Sequence, residues 1–429
     1  MNLAIKNIGM ISSAELTLDG ISVITGNNDS GKSSIGKGLF SLCHGIKSYE
    51  KNIEEDAMEY ISEDFYNVMK KAGQIDAEYV PGVFARRITK LHAMSLLRSY
   101  GIDNVEDEIE KIQNLQLKGR TRYELADSID VLKAKLHEIH SDDFLNMVKR
   151  RTVERVFLSE FSKNINNVYS DNVGEVNITD NNNCVSVRFR NNKLIALEGA
   201  LACSDGMDGV FSEVNFINTP LVLDDINRDR FTYDDVYTHQ GDLINKLIQD
   251  TSDDSNVIEY AKKNEGKALV EAAIDKVLDG SVVKKRELYY QTHGKEFSVD
   301  SLATGMKTYV VVKMLLDNGH LRTNSLLILD EPEVHLHPSW QLLFAELLVL
   351  LNKELGVKVL LATHSPYFLQ AMEIYSKKYN IQDKTHFYLS TKNEHSAALE
   401  NIDDNLEQTY KLMAEPILIL QEMQDDLEE

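Results

Sequence analysis

The string GNNDSGKSS at residues 26–34 constrains this chain most. It has the form G-x-x-x-x-G-K-S, with Gly26, Gly31, Lys32 and Ser33 at the fixed positions. The apolar ISVIT (21–25) before it reads as a buried strand, and IGKGLFSLCHG (35–45) after it as a helix. A strand, a glycine-bearing turn and a helix in that order build a phosphate cradle. Backbone N–H groups of Gly26, Asn27, Asn28, Asp29, Ser30, Gly31, Lys32, Ser33 and Ser34 turn inward, and the helix dipole adds to them. Lys32 is placed to reach β- and γ-phosphates, and the Ser33 hydroxyl to ligate Mg²⁺.

A triphosphate needs acids as well. LLILDEPE (326–333) sets Asp330 at the end of an apolar run, where it can hold Mg²⁺, and Glu331 directly after it. A carboxylate beside the metal ligand is what orients and deprotonates an attacking water. His364 follows the strand-like VKVLLAT (357–363), which brings it to the same sheet edge. SLATGMK (301–307) opens a helix with a glycine-containing turn, a geometry that suits an anion. ATP and Mg²⁺ are therefore the expected ligands. His335 and His337 lack the further ligands a zinc site needs, and packing is the simpler role for them.

The chain has 429 residues, 43% of them hydrophobic, enough for a full core and several subdomains. Cys43, Cys184 and Cys203 show no metal-type spacing, which fits a reduced cytoplasmic protein. There is no leader-like N-terminal segment and no apolar run long enough for a membrane span. The formal net charge of −22 favours solubility and opposes broad coating of nucleic acid. Two basic clusters stand against that background: Lys149, Arg150, Arg151 and Arg155, then Lys284, Lys285 and Arg286. Such runs are also what solvated faces look like.

The chain divides by pattern. Residues 1–45 hold strands and the phosphate loop. Residues 46–165 are helical, and 166–230 contain an antiparallel meander (173–197). Residues 231–280 are helical again, and 281–395 return to α/β character. Residues 396–429 form an acidic helical tail with Leu406, Tyr410, Met413, Ile417 and Leu420 in phase and Pro416 as a kink. Within 46–165, Ile102, Val105, Ile109, Ile112 and Leu115 face Leu125, Ile129, Leu132, Leu136 and Ile139 across LKGRTRYE (117–124). That is a helical hairpin with Lys118, Arg120 and Arg122 at its tip. It is either a packed layer or a short arm for a partner.

Together GNNDSGKSS, SLATGMK, LILDEPEVHLHP and ATHSP resemble ABC-type ATPases of the SMC/RecF/OLD branch. The wording DEPEVHLHP-WQ and THSPYFL is similar to ATPase subunits of bacterial anti-phage systems such as Septu and PARIS. The likeness is close over residues 1–45 and 285–390. It implies an α/β, P-loop ABC-type ATPase head with a mixed sheet, an antiparallel β subdomain and a helical insertion. It also implies head-to-tail dimers, or larger even-numbered assemblies, with ATP between the faces. Thr304, Gly305 and Lys307 then meet the γ-phosphate held by the other copy. Asp330 takes the Walker B role, Glu331 that of catalytic base, and His364 that of switch histidine. The segment 218–225 corresponds to the Q-loop region. Ala303 stands where many members carry a serine, with Thr304 the candidate substitute; the resemblance then allows slow turnover or ATP held as a clamp. OLD proteins carry a nuclease domain that has no counterpart in this sequence. The resemblance therefore implies a separately encoded effector nuclease, triggered by DNA or a phage component. The alternative it allows is a RecF-like DNA repair ATPase that binds DNA directly.

Overall fold

The computed structural model describes residues 1–74, 85–114, 120–180, 183–199, 211–226, 237–249 and 257–407, with isolated positions beyond. The chain forms two compact units, Met1–Gly45 with Glu154–Glu429, and Ile46–Val153.

The larger unit is built on one sheet. Its strands are β1 (Asn2–Ile8), β2 (Ile11–Thr17), β3 (Ile21–Thr25), β4 (Gly174–Asp180), β5 (Asn183–Arg190), β6 (Lys193–Gly199) and β7 (Val214–Ile217). A small antiparallel sheet follows, made of β8 (Ser281–Lys284), β9 (Leu288–Thr292) and β10 (Lys295–Ser298). The large sheet is completed by β11 (Leu326–Asp330), β12 (Lys358–Ala362), β13 (Thr385–Asn393) and β14 (Ser396–Asn401). Among the described residues it has eleven strands in the order β6-β5-β4-β1-β2-β14-β13-β3-β12-β11-β7. The segment from β13 through β3, β12 and β11 to β7 is parallel. The β6-β5-β4-β1-β2 side is antiparallel.

Composition explains the two halves. β3 and β11 read ISVIT and LLILD and are apolar on both faces because both faces are covered. β4 alternates buried and half-buried residues, as a one-sided strand does. The expected meander is therefore present, but it continues the main sheet through β1. In the small sheet, β9 buries Leu288 and Tyr290. The neighbouring β8 and β10 are short and largely exposed, so no apolar alternation marks them. Residues 396–401, assigned to the helical tail, are strand β14, held by β13 and β2.

Helices follow in chain order: α1 (Lys32–Lys71), α2 (Ala85–Tyr100), α3 (Val105–Gln113), α4 (Arg120–Glu138) and α5 (Asp142–Glu160). Then come α6 (Val222–Ile226), α7 (His239–Ile248), α8 (Val257–Ile274), α9 (Thr304–Asp317), α10 (Pro338–Leu355) and α11 (Pro366–Lys378). α10 opens with Pro338 in its first turn, and the His337 ring accepts the Ser339 N–H; it ends at Gly356. Its apolar face joins α9, α11, β11 and β12 in the main core, which includes Phe344, Leu348, Leu351, Tyr309 and Leu361. Each such side chain contributes about 1.5–3 kcal/mol on burial.

The Ile46–Val153 unit has its own core. Val105, Ile109, Ile112, Leu125, Ile129, Leu132, Leu136 and Ile139 share it with Phe65 and Val68 of α1 and Phe144 and Val148 of α5. The paired seams are thus layers of a packed helical body. Leu115, Lys118 and Gly119 lie outside the described residues, and so do Ile417 and Pro416 of the tail. Leu406, Tyr410 and Met413 pack on the main core. Leu420 is exposed.

Candidate functional site

The site lies at the carboxyl ends of β3, β12 and β11, three parallel strands side by side. Register puts Ile24 opposite Ala362 and Ala362 opposite Asp330. The loops that leave these strands carry Gly26–Ser34, His364 and Glu331, so distant stretches of chain meet at one edge. An open parallel sheet places ligands at such an edge.

The phosphate loop wraps onto its own lysine. Lys32 is 4% exposed, and its Nζ donates to the Gly26 and Asn27 carbonyls at 2.9 Å each. Burial pulls its pKa down, and the charges of Glu331, Asp330 and Glu333 oppose that. Gly31 has φ +80°, and a Cβ there would come within 2.6 Å of Ile11 Cδ1, so only glycine fits. Asn28 and Asp29 are exposed, with Asp29 paired to Lys392. Ser30 is buried, and its carbonyl accepts from Ser390 Oγ at 2.5 Å. Ser34 Oγ lies 2.7 Å from where a Cβ on Gly9 would stand, which seats the loop on the β1–β2 turn.

Across from the loop, Ser33 hydrogen-bonds the Asp330 carboxyl. Burial pushes the Asp330 pKa up, Ser33 pulls it back, and the neighbouring Glu331 pushes it further up. Asp330 Oδ1 is closed off from solvent and has no hydrogen-bond partner among the described residues. A carboxylate oxygen held unpartnered beside a serine hydroxyl is an oxygen donor set that suits Mg²⁺. The residues present therefore fit a Mg²⁺-nucleotide.

Glu331 adopts left-handed backbone angles, φ 49° and ψ 50°. For a non-glycine residue that costs about 1–3 kcal/mol and is typical of functional turns. Its N–H donates to Ala362 at 2.9 Å, and the side chain stays one-third exposed. Glu331 Oε1 is 3.2 Å from His364 Nδ1 and 3.9 Å from Lys32 Nζ. The structure thus brings Lys32, Ser33, Asp330, Glu331 and His364 together.

It treats the 301–307 turn differently. Ser301 and Ala303 are exposed and Thr304 is half-exposed, but Gly305 is buried. A Cβ on Gly305 would meet the His335 carbonyl at 2.8 Å and the Trp340 ring at 3.3 Å. Glycine is needed there for close packing within the same chain. Lys307 points into its own chain. Its side chain is buried, and Nζ donates to Asp224 Oδ1 at 2.5 Å and the Asp300 carbonyl at 2.9 Å. It braces the turn against the 218–225 segment instead of reaching outward for a phosphate. Nothing local to SLATGMK signals this, because the partner acid lies on another element.

Sequence reasoning also passed over Glu333, the third acid of LLILDEPE. It is buried and hydrogen-bonded to the loop carrying His364. Four residues of the basic clusters are engaged by the chain itself. Arg151 pairs with Asp56 at 3.3 Å and Glu59 at 3.1 Å. Arg155 donates to Tyr237 at 3.1 Å, and Lys284 donates to Asn318 at 2.8 Å. Lys285 pairs with Glu296 at 2.5 Å. Among the described residues no group of three metal-ligating side chains is found and no helix is long and apolar enough to cross a membrane.

Comparison with known structures gives distant likenesses. The SMC head domain from Thermotoga maritima is 13% identical with a TM-score of 0.38, over 94% of this chain and 98% of that one. An SmcHead bound to the C-winged helix domain of ScpA is 10% identical with a TM-score of 0.41, over 95% and 98%. A Pyrococcus furiosus Smc head domain with an extended coiled coil, bound to the C-terminal domain of ScpA, is 10% identical with a TM-score of 0.33, over 96% and 98%. Comparison with curated proteins gives no match. The model of the AAA ATPase domain matches residues 1–369, a span that contains the phosphate loop, Asp330, Glu331 and His364. With that match over most of its length, the chain belongs to the AAA ATPase domain family.

Proposed function

We propose that this chain is a Mg²⁺-dependent ATPase that works as a head-to-tail pair of copies. The observation that carries the reading is the convergence of Lys32, Ser33, Asp330, Glu331 and His364 at the ends of three neighbouring strands. Ser33 and Asp330 would hold Mg²⁺, which would neutralise charge on the phosphate oxygens. The rest falls to the chain. Backbone N–H groups of residues 26–34 cradle the β-phosphate. Lys32 exchanges its bonds to the Gly26 and Asn27 carbonyls for phosphate oxygens. Glu331 accepts the proton of the water whose oxygen bonds to the γ-phosphorus as the bond to the β–γ bridging oxygen breaks and ADP leaves, and His364, 3.2 Å away, steadies its carboxylate.

The pairing is inferred from α9. Ala303 offers no side-chain acceptor to the first turn, and while the Met306 and Lys307 N–H groups go to the Ala303 carbonyl, those of Thr304 and Gly305 are the ones left to meet a phosphate. The exposed Ala303–Thr304 turn is the part presented to a partner copy. Without a serine hydroxyl at 303, turnover is slow.

At the level of the cell we infer a cytoplasmic sensor and scaffold subunit of a bacterial anti-phage complex that controls a separately encoded effector nuclease. The support is the resemblance in DEPEVHLHP and THSPYFL. Arg151, Lys284 and Lys285 are engaged within the chain, and the net charge is −22, neither of which favours direct DNA binding.

The test is affinity purification of the chain with its native neighbouring genes, as wild type and Glu331→Gln, with mass photometry and protein identification with and without ATP. An even-numbered assembly carrying a nuclease-like chain is the expected result. A monomer or ATP-induced dimer that retains DNA and no protein partner overturns the scaffold reading and points to a repair ATPase.

A further inference from the structure

Glu333 has no task in the mechanism above, yet it is 4% exposed, and a carboxylate that deep needs partners. Both partners of its Oε1 come from one loop, and its Oε2 is buried without a hydrogen-bond partner among the described residues. The Thr363 hydroxyl donates at 2.6 Å and the His364 backbone N–H at 2.9 Å. Thr363 Oγ1 in turn accepts the Ser365 N–H at 3.1 Å, and Ser365 Oγ donates to Gln341 Oε1 at 2.7 Å. Gln341 Nε2 donates to the Leu336 carbonyl at 3.1 Å, just past the Glu333 turn. The circuit closes on itself. It ties the turn after β11, the loop after β12 and the first turn of α10 into one hydrogen-bonded body. Glu333, Thr363, Ser365 and Gln341 are all buried. His364 sits between Thr363 and Ser365 with its side chain 39% exposed and facing Glu331. The circuit fixes its main chain and leaves its ring at the site.

We propose that Glu333 is a positioning residue for hydrolysis, setting the imidazole of His364 against the Glu331 carboxylate through the Thr363 hydroxyl and the His364 amide. The inference rests on the ATPase reading and adds a residue to it. One acceptor oxygen serves both donors, so the acceptor is required and the charge is not. A glutamine at 333 keeps a carbonyl oxygen in the same place. Alanine at 333 removes the acceptor, and valine at 363 removes one donor with little change of shape.

The experiment compares wild type, Glu333→Gln, Glu333→Ala and Thr363→Val as full-length proteins. Phosphate release gives kcat, and equilibrium binding gives the ATP Kd. Histidine-selective ¹³C labelling reports the His364 ring, assigned by its loss in His364→Gln. Glu333→Ala and Thr363→Val are expected to lower kcat about tenfold or more, with Kd within about threefold, because small misplacements cost rate before affinity. They also shift the His364 resonance, whereas Glu333→Gln stays near wild type in both readouts. The proposal is overturned if Glu333→Gln is as impaired as Glu333→Ala, if Kd rises in step with the loss of kcat, or if kcat and the resonance are unmoved in both acceptor and donor variants. Should Glu333→Ala not fold, Thr363→Val against Glu333→Gln decides. A wild-type protein that releases no phosphate refutes the ATPase reading, and the His364 resonance still tests the positioning.

Discussion

Asp330 should hold the protein below its attainable stability when nucleotide is absent. Its Oδ1 is out of contact with solvent and unpartnered among the described residues, and burial raises its pKa. Asp330→Asn removes the charge and keeps an oxygen for the Ser33 bond. The amide still leaves one polar atom at the Oδ1 position, so what the substitution relieves is the desolvated charge, an effect of about 1–3 kcal/mol. Asp330 is only half-buried as a residue, so about 1–2 kcal/mol is the better figure. The larger unit has roughly 320 residues, and at ~2.1 cal/mol/K per residue its unfolding entropy is about 0.7 kcal/mol/K. The variant should therefore melt about 1.5–3 °C higher than wild type without ligand.

The sign with pH follows from the direction of the shift. An acid whose folded pKa is raised costs nothing where both states are protonated, below its ordinary value of 3.8. The cost grows as pH rises through the folded value. The advantage of Asp330→Asn is thus full at neutral pH and fades in acid. Ligand reverses the order. At a hundredfold excess over Kd, Mg²⁺-ATP should stabilise wild type by about 2.7 kcal/mol, or about 4 °C, and the variant far less. Scanning calorimetry with and without Mg²⁺-ATP at pH 7.5 and pH 4.5 reads all of this. A variant that melts below wild type without ligand, or keeps the full Mg²⁺-ATP shift, refutes the argument.

Other outcomes follow from the same geometry. Lys32→Ala should abolish phosphate release and weaken ATP binding at least tenfold in a binding assay, since Lys32 is the ammonium that the loop wraps with its Gly26 and Asn27 carbonyls. Gly305→Ala forces a Cβ to within 2.8 Å of the His335 carbonyl, and overpacking of that kind costs about 1–3 kcal/mol, measurable by denaturant unfolding. At Glu346 burial raises the pKa, but hydrogen bonds from Lys276, Tyr379 and Lys378 outweigh it and hold the carboxyl at about 2. That stabilisation is complete above the ordinary value of 4.5 and is lost as pH falls toward 2. The melting difference between wild type and Glu346→Gln should be largest at pH 7 and shrink toward pH 3.

The mixed α/β architecture could be read because its strongest elements announce themselves locally. ISVIT and LLILD are short apolar runs that end where a phosphate loop and two acids begin. The motifs place Asp330, Glu331 and His364 with the phosphate loop, but not the strand order that joins them: that β12 lies between β3 and β11 is a fact of long-range register. Lys307 shows the same limit. In sequence it is the cation of a helix-opening turn, and only the fold supplies Asp224 to turn it inward. Gly305 looked like a ligand-facing glycine because the His335 carbonyl that crowds it is distant in the chain. β8 and β10 left no mark because their side chains are mostly exposed.

The most direct test of the account is phosphate release from Mg²⁺-ATP by purified wild type and Glu331→Gln, measured over a range of protein concentrations. The account predicts release that needs Mg²⁺, falls at least a hundredfold in Glu331→Gln, and shows a specific activity that rises with protein concentration as copies pair. Release that is indifferent to Glu331→Gln, or a wild-type protein with none at any concentration, contradicts it.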